Sequence, residues 1–262
     1  MAVRYAPGFG VDESSLDTRF SAASLESVAR SHDHERNPIT FYFLFLAKLM
    51  RGDAGHSTVF NQRVATLIRE RTPVTLVSVV EGLIVGWAIA VALAAVTALP
   101  GKRAIQLTTM AFNGALLSVP SAVLATLCVL FRLPPGVAIA TVILPRIYPH
   151  VYEQLRAALG GADVLMARAC GLAPLRVGIF YLAPATAPAL IALCGVSVTL
   201  AFGASIPIEA LADSPGLGQM AWRAALGRDL PVLVSVTMLL TTIAVVSNLA
   251  ADLILLRLRH AA

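Results

Sequence analysis

The stretch PVTLVSVVEGLIVGWAIAVALAAVTALP, residues 73–100, decides the fold class of this protein. It contains a single charged residue, Glu81. A helix of about 20 apolar residues spans the hydrocarbon core of a bilayer, and this stretch is longer than that. A proline stands at each end, and two cations, Lys102 and Arg103, follow. We therefore predict a transmembrane helix over residues 73–100.

The rest of the chain repeats this pattern. Hydrophobic residues make up 57% of the sequence and charged residues 13%, with a mean hydropathy of +0.77. Soluble domains carry about 25% charged residues. Further apolar stretches predict spans at residues 104–131, which Pro120 interrupts, and at 135–152, 182–205 and 231–256. The predicted fold is an all-α integral membrane protein with about five transmembrane helices in a domain over residues 73–262.

The basic residues predict the orientation, because loops rich in Lys and Arg mark the cytoplasmic side of a membrane. They fall on one side of the predicted spans, at Lys102, Arg103, Arg156, Arg168, Arg176, Arg257 and Arg259. The C-terminus and the segment 153–180 are therefore expected in the cytoplasm. Residues 1–72, with short helices at 24–30 and 41–50, and the segment 206–230 are expected outside.

Several classes of function find no support in the sequence. The net charge of +5 is spread between apolar runs, so no nucleic-acid patch is formed. Three cysteines, Cys128, Cys170 and Cys194, lack the spacing of a disulfide framework or metal site. The sequence contains no Walker P-loop, GxSxG or HExxH motif. We predict no catalytic residue, no metal site, no cofactor bound by this chain and no enzymatic activity.

One cytoplasmic segment has an unusual composition. Residues 162–172, ADVLMARACGL, consist mainly of small and apolar residues and place a glycine where a helix ends. Two short helices joined by such a turn form a compact knob, and Gly171 can adopt positive φ there. The segment resembles the cytoplasmic EAA loop of ABC-importer permeases, and its end matches the A-R-A-x-G-L of the dipeptide/oligopeptide/nickel branch. The resemblance implies an ATPase-coupling loop that includes Ala162, Asp163, Ala167, Arg168, Ala169, Gly171 and Leu172.

Other motifs of that family occur in the same order along the chain. Residues 208–218, IEALADSPGLG, resemble V-E-x-x-F-x-x-P-G-L-G, and RDLP at 228–231 resembles R-D-Y-P. Weaker matches are RYAPG at 4–8, RGDAGHS at 51–57, ERTPVTL at 70–76, and Asn248 with Asp252 for N-x-x-x-D. In the family, the 208–231 region belongs to an external scoop near the mouth of the pathway. The carried-over residues are Glu209, Pro215, Gly216, Gly218, Arg228 and Asp229.

The resemblance implies a B-type permease subunit in a bacterial inner membrane. Its expected partners are a homologous second permease, two cytoplasmic ATPases and an external solute-binding protein, with ATP and Mg²⁺ on the ATPases. The expected cargo is a peptide or a related small solute. The alternative is a transport-incompetent pseudo-permease or membrane scaffold.

This sequence departs from the family pattern at several positions. The family's first helix precedes R-x-A-P-G, so this sequence is expected to lack it. The loop at residues 132–135 is short, which predicts a reduced external vestibule. Leu165, Cys170 and Ala185 replace an acidic residue, a basic residue and an asparagine that are common in the wider family.

Three of the polar side chains inside predicted spans are candidate pathway or helix-interface residues. Glu81 either lines the pathway, faces a partner subunit or lies where the outer end of its helix is wet, since an intramembrane acid is a functional candidate by default. Asn248 and Asp252, four residues apart, share one helix face. They predict hydrogen bonding between helices near the cytoplasmic end, or a place along the pathway.

Overall fold

The computed structural model describes residues 54–98 and 103–261, and regular structure in these ranges is helical. The helices are α1 (Val64–Thr97), α2 (Arg103–Ser118), α3 (Ser121–Leu130), α4 (Pro135–Leu159), α5 (Ala162–Ala169), α6 (Pro174–Val177), α7 (Ala183–Leu211), α8 (Leu217–Leu226) and α9 (Leu230–Ala261), with a π-helical turn (Gly178–Leu182) between α6 and α7. The predicted all-α class is confirmed. The predicted helices at 24–30 and 41–50 and the motifs at 4–8 and 51–53 lie outside the described residues.

Helix α1 begins at Val64, before the start of the span predicted at residue 73. Pro73 lies inside the helix, although an internal proline removes a hydrogen bond and usually costs about 3 kcal/mol. The carbonyl that it leaves unbonded belongs to Arg69, which is exposed. With 34 residues, α1 is about 51 Å long and exceeds the roughly 30 Å hydrocarbon core. Its charged first turns therefore project beyond the apolar stretch.

A seam of small residues joins α1 to α4. Gly82, Gly86, Ala90 and Ala94 recur every four residues on α1 and are buried, which is the pattern that lets membrane helices approach closely. A Cβ atom on Gly82 would lie 2.7 Å from Ile139 Cγ2, and one on Gly86 would lie 2.9 Å from Ile143 Cδ1. The residue numbers rise together along both helices, so α1 and α4 run parallel.

Helices α2 and α3 meet at an angle of 98°. Pro120 caps α3 and explains the break, because it cannot continue the hydrogen-bond ladder of α2. In α4, Pro149 cannot donate to the carbonyl of Pro145, and Asn113 Nδ2 of α2 donates to that oxygen instead, at 3.0 Å. This bond satisfies a buried carbonyl and fixes α2 against α4.

By length and apolar composition, three helical segments of the described residues can span a membrane, Val64–Thr97, Pro174–Leu211 and Leu230–Leu258. The bent pair α2–α3 makes a fourth if it is counted as one span. The third predicted span, 135–152, lies in α4 and does not meet this criterion, because Arg146, Pro149 and His150 interrupt its apolar run.

The predicted segments between spans are also more helical than expected. Residues 153–159 belong to α4, and the fourth predicted span starts at Pro174 and ends at Leu211, not at 182 and 205. The last predicted span lies in α9, a helix that starts at Leu230 and continues past the predicted end of the span at residue 256. The coupling segment is thus reduced to α5, a short turn and α6, and the outer segment to α8 and its two connections.

Candidate functional site

The end of the molecule that is predicted to face outside is organised around the buried carboxylate of Glu209, at the end of α7. Thr75 of α1 donates its hydroxyl to Glu209 Oε2 at 3.1 Å, and the Gly218 amide donates to the same oxygen at 2.7 Å. The Leu217 amide donates to Thr75 Oγ1 at 2.7 Å. Glu209 and Thr75 are both fully buried, so these bonds join α1, α7 and the start of α8 in a dry environment.

The glycines of the 215–218 turn make room for this carboxylate. A Cβ atom on Gly216 would overlap Glu209 Oε2, and one on Gly218 would lie 2.6 Å from the Ile206 Cα. Two of the predicted glycines are therefore explained by close approach to α7. Pro215, predicted with them, is exposed.

Asp229 organises a second set of hydrogen bonds at this end of the molecule. Its Oδ2 accepts hydrogen bonds from Ser57 Oγ at 2.6 Å and from the Val59 amide at 3.1 Å. Its Oδ1 accepts the Val232 amide at 3.3 Å, so Asp229 is the N-cap of α9. The neighbouring Arg228 is exposed, with a positive φ of 54°. Asp229 thus attaches the segment before α1 to the start of the last helix.

A third set of contacts closes the cluster toward solvent. Arg71 of α1 donates to Gln219 Oε1 at 2.9 Å and lies over the Phe60 ring. Gln219 in turn donates to Asp213, which also forms an exposed ion pair with Arg223 at 3.0 Å.

Motifs that are far apart in the sequence therefore meet at one place. We define the outer cluster as Ser57, Arg71, Thr75, Glu209, Asp213, Gly216, Gly218, Gln219 and Asp229. Sequence reasoning selected Glu209, the glycines and Asp229, but not Ser57, Arg71 or Thr75, although all three stand in the quoted motifs. The cluster is a clamp: most of its polar atoms bond to each other, while Glu209 Oε1 is buried without a hydrogen-bond partner among the described residues.

The predicted coupling loop lies at the opposite end of the parallel pair α1–α4, where α4 ends. Helix α5 closes at Gly171, which adopts a φ of 75°. The Leu172 amide donates to the Ala167 carbonyl at 3.2 Å and the Gly171 amide donates to the Arg168 carbonyl at 3.0 Å. This is the Schellman pattern that satisfies the last carbonyls of a helix. The turn is followed by α6, so two short helices flank the glycine as predicted.

The outward surface of this region is apolar. Met166 is 70% exposed and Leu175 is 75% exposed, while Val164 and Ala167 pack inward with Val177. Leu165 on α5 is also exposed. We call the exposed surface of α5 and α6 the coupling knob. Ala162, Asp163, Arg168 and Ala169 are exposed on it, and Leu172 is half-buried.

A cleft lies beside the coupling knob. It has a volume of about 420 Å³ and is lined by Asp163, Met166, Cys170, Phe180 and Ala185, among others. An exposed apolar surface next to a cleft is typical of a protein–protein interaction site.

The remaining predicted residues lie on the helix surfaces. Glu81 is exposed in an open, otherwise apolar groove of about 560 Å³ on α1, and its carboxylate lies against Gly136 of α4. Asn248 of α9 donates to Thr199 Oγ1 of α7 at 3.4 Å, where Gly195 allows close approach of the two helices. Asp252 is exposed on α9. The structure does not bring these three residues together.

The described residues thus form an all-α membrane protein with a polar clamp at one end and an exposed apolar knob at the other. Comparison with known proteins defines this class further. The family of binding-protein-dependent transport system inner membrane components matches residues 82–260. The chain belongs to this family, and it is the permease subunit of an ABC importer.

Individual relatives are more distant. The dipeptide transport system permease protein DppB of Lactococcus lactis subsp. cremoris is 24% identical over 239 residues, which cover 81% of this chain and 77% of the relative. A putative peptide permease protein of Brucella suis biovar 1 is 24% identical over 241 residues, covering 81% of this chain and 76% of the relative.

A solved structure has the same fold. A chain of the MetNI methionine ABC transporter, in an inward-facing conformation, superposes with a TM-score of 0.64 at 20% identity, over 73% of this chain and 96% of that chain. A second crystal form gives a TM-score of 0.61. The family match makes the protein a multi-pass membrane component with a role in transport, and the solved structures agree with it in fold.

Proposed function

We propose that this chain forms one half of the translocation pathway of an importer for short peptides, and that the coupling knob receives a cytoplasmic ATPase. The observation that carries the proposal is the exposed apolar surface of the knob, on a turn that is closed by the Schellman hydrogen bonds at Gly171. The expected partners are a homologous second permease, two ATPases and an external solute-binding protein. ATP and Mg²⁺ bind to the ATPases, and this chain needs no cofactor.

The position of the knob supports mechanical coupling. Only a short connecting turn separates the end of α4 from α5, and α4 is packed on α1 along the small-residue seam. A push on α5 is therefore transmitted to a helix pair rather than to a loose loop. Rigid-body movement of packed helices is the expected response of a pathway that alternates its access. In this orientation the C-terminus is cytoplasmic and the outer cluster faces the binding protein.

Peptide cargo is supported by the named activities of the two permease relatives. The likeness to the methionine transporter, at 20% identity, supports only the fold. Methionine is therefore not the proposed cargo, and it serves as the competing solute in the test.

The ATPase contact is tested by paired substitutions of equal exposure. Met166 on the knob and Leu226 on α8 are each 70% exposed. Met166→Glu is expected to abolish co-purification of the ATPase with the membrane complex, because it places a charge in an apolar contact. Leu226→Glu, at the other end of the molecule, should leave co-purification intact. Equal ATPase recovery from both variants would refute the assignment of the knob.

The cargo is tested in the complete complex reconstituted in proteoliposomes with its binding protein. Dipeptides are expected to stimulate ATP hydrolysis and to accumulate inside, while free methionine does neither. Stimulation by methionine alone would overturn the peptide assignment. ATP hydrolysis without accumulation of any solute would favour the pseudo-permease alternative.

A further inference from the structure

The exposed side chains of α4 differ in chemistry from those of the other long helices. Those of α4 that are exposed are Arg146, His150, Glu153, Gln154, Arg156 and Ala157, nearly all of them polar. On α1 and α9 the exposed side chains include many large apolar residues, among them Val77, Ile84, Val245, Leu249 and Leu253. The molecule therefore has two kinds of exposed helical surface.

Three of the α4 residues form one stripe. Arg146, His150 and Glu153 are spaced four and three residues apart, so they lie on the same face of the helix. At 1.5 Å per residue, the stripe from Arg146 to Glu153 is about 10 Å long. The opposite face of this part of α4 carries Tyr148, Val151 and Tyr152, which are buried.

The stripe starts inside the apolar zone of the protein. Ile143 lies against Gly86 of α1, and the Tyr148 hydroxyl lies 3.1 Å from Thr97 Oγ1 of the same helix. Arg146 is therefore level with the part of α1 between Gly86 and Thr97, which contains no charged residue. Among the described residues, no side chain forms an ion pair or hydrogen bond with its guanidinium.

An arginine in this zone is costly to place against lipid tails. Charged residues within membrane helices face a bundle interior or a water-filled cavity. The buried face of α4 is already occupied by α1 and α7, so the stripe needs water or a polar partner on its open side. The apolar exposed surfaces of α1 and α9 have no such requirement.

We propose that the α4 stripe lines the water-filled inner part of the translocation path, and that Arg146 is a fixed cation that selects solutes carrying a free carboxylate. Guanidinium groups bind carboxylates through two parallel hydrogen bonds, which suits the C-terminus of a short peptide. The proposal rests on the proposed transport function and adds a ligand chemistry and a residue to it. A polar surface of a partner subunit against the stripe is the alternative that the test must separate.

The first experiment measures water access and does not depend on transport. In a Cys170→Ser, Cys194→Ser background, which removes the exposed cysteines, Arg146→Cys and the matched variant Leu249→Cys are assembled into the full ATPase complex. The probe is an anionic, membrane-impermeant methanethiosulfonate applied to inside-out vesicles. Arg146→Cys is expected to react on the order of ten times faster or more, since the thiolate forms only in water. Equal, slow reaction at both positions would overturn the pathway assignment and favour a subunit contact.

The second experiment measures the ligand chemistry. Uptake of a dipeptide is compared with uptake of the same dipeptide bearing a C-terminal amide, as a ratio in each variant, which cancels the preference of the binding protein. Arg146→Gln is expected to lower this uptake ratio about tenfold, because it removes a charge from a partly dry site. Arg146→Lys keeps the charge and should keep most of the preference for the free carboxylate. An unchanged ratio in Arg146→Gln would overturn the carboxylate assignment. If no peptide is transported at all, the proposed function fails, while the labelling experiment still decides whether the stripe is wet.

Discussion

Asp229→Ala is expected to destabilise the outer end of the protein by about 3 kcal/mol, from the loss of a helix cap and of a buried hydrogen bond. Asp229 is 1% exposed and accepts hydrogen bonds from Ser57, Val59 and Val232. Loss of the cap at Val232 costs about 1 kcal/mol. The Ser57 hydroxyl, which is 3% exposed, loses a charged acceptor and stays buried, at a cost of about 2 kcal/mol. The Val59 amide lies in a part-exposed segment, so water replaces its partner at little cost.

The assay is thermal unfolding of the protein in nanodiscs, combined with hydrogen exchange. In domains of comparable size, 1 kcal/mol shifts Tm by roughly 2–4 °C, so a drop of about 6–12 °C is expected. Faster exchange should be confined to residues 57–60 and the first turn of α9. Arg223→Ala is the matched control, because Arg223 is 50% exposed in its ion pair with Asp213 and exposed pairs contribute about 0.2–1 kcal/mol. Equal Tm shifts in the two variants would refute the assignment of Asp229 as the structural centre of this end.

Three further substitutions test the packing by the same thermal assay. Gly82→Ala should destabilise the protein, because the new Cβ would meet the Gly136 carbonyl at 2.9 Å. Gly114→Ala has no neighbour within 4 Å and should stabilise the protein by up to about 1 kcal/mol. Equal effects of the two substitutions would contradict close packing of α1 on α4 at Gly82. Asn113→Leu should lower stability by about 1–3 kcal/mol, because the Pro145 carbonyl then has no donor, and an unchanged Tm would show that this bond is dispensable. Thr75→Val should cost a similar amount while Thr75→Ser costs less, since only serine keeps the hydroxyl that bonds Glu209 and Leu217; equal losses would assign the effect to packing.

The class of fold could be predicted from the sequence because the bilayer imposes a simple rule on composition and length. The ends of the helices were harder to predict from the sequence. Pro73 was interpreted as a helix start because proline is favoured there, but α1 continues past it into a charged, solvated turn where the lost hydrogen bond is tolerated. The number of spans depends on α4, which has one buried face and one polar face. Its average hydropathy therefore falls below the level of the other long helices and does not describe either face.

The functional clusters were predictable only in part. Gly171 was identifiable because a glycine after a short helix predicts a left-handed turn, and its φ is 75°. The pairing of Ser57 with Asp229, and of Thr75 with Glu209, was not predictable, since these residues are more than a hundred positions apart in the chain. The role proposed for Arg146 was not predictable for a different reason. It depends on the position of Arg146 along the membrane-spanning helices and on the open side of α4, and both are properties of the packed helices.

The small-residue seam between α1 and α4 has a consequence for biosynthesis. Residues 98–134 separate the two helices, and at about 5–20 residues per second the ribosome takes roughly 2–7 s to make this connection. During that interval α1 presents a flat, glycine-lined face with no protein partner, and lipid tails or an insertion factor must cover it. Assembly of this half of the importer therefore includes a displacement step, in which the isoleucines of α4 replace whatever first occupied the seam.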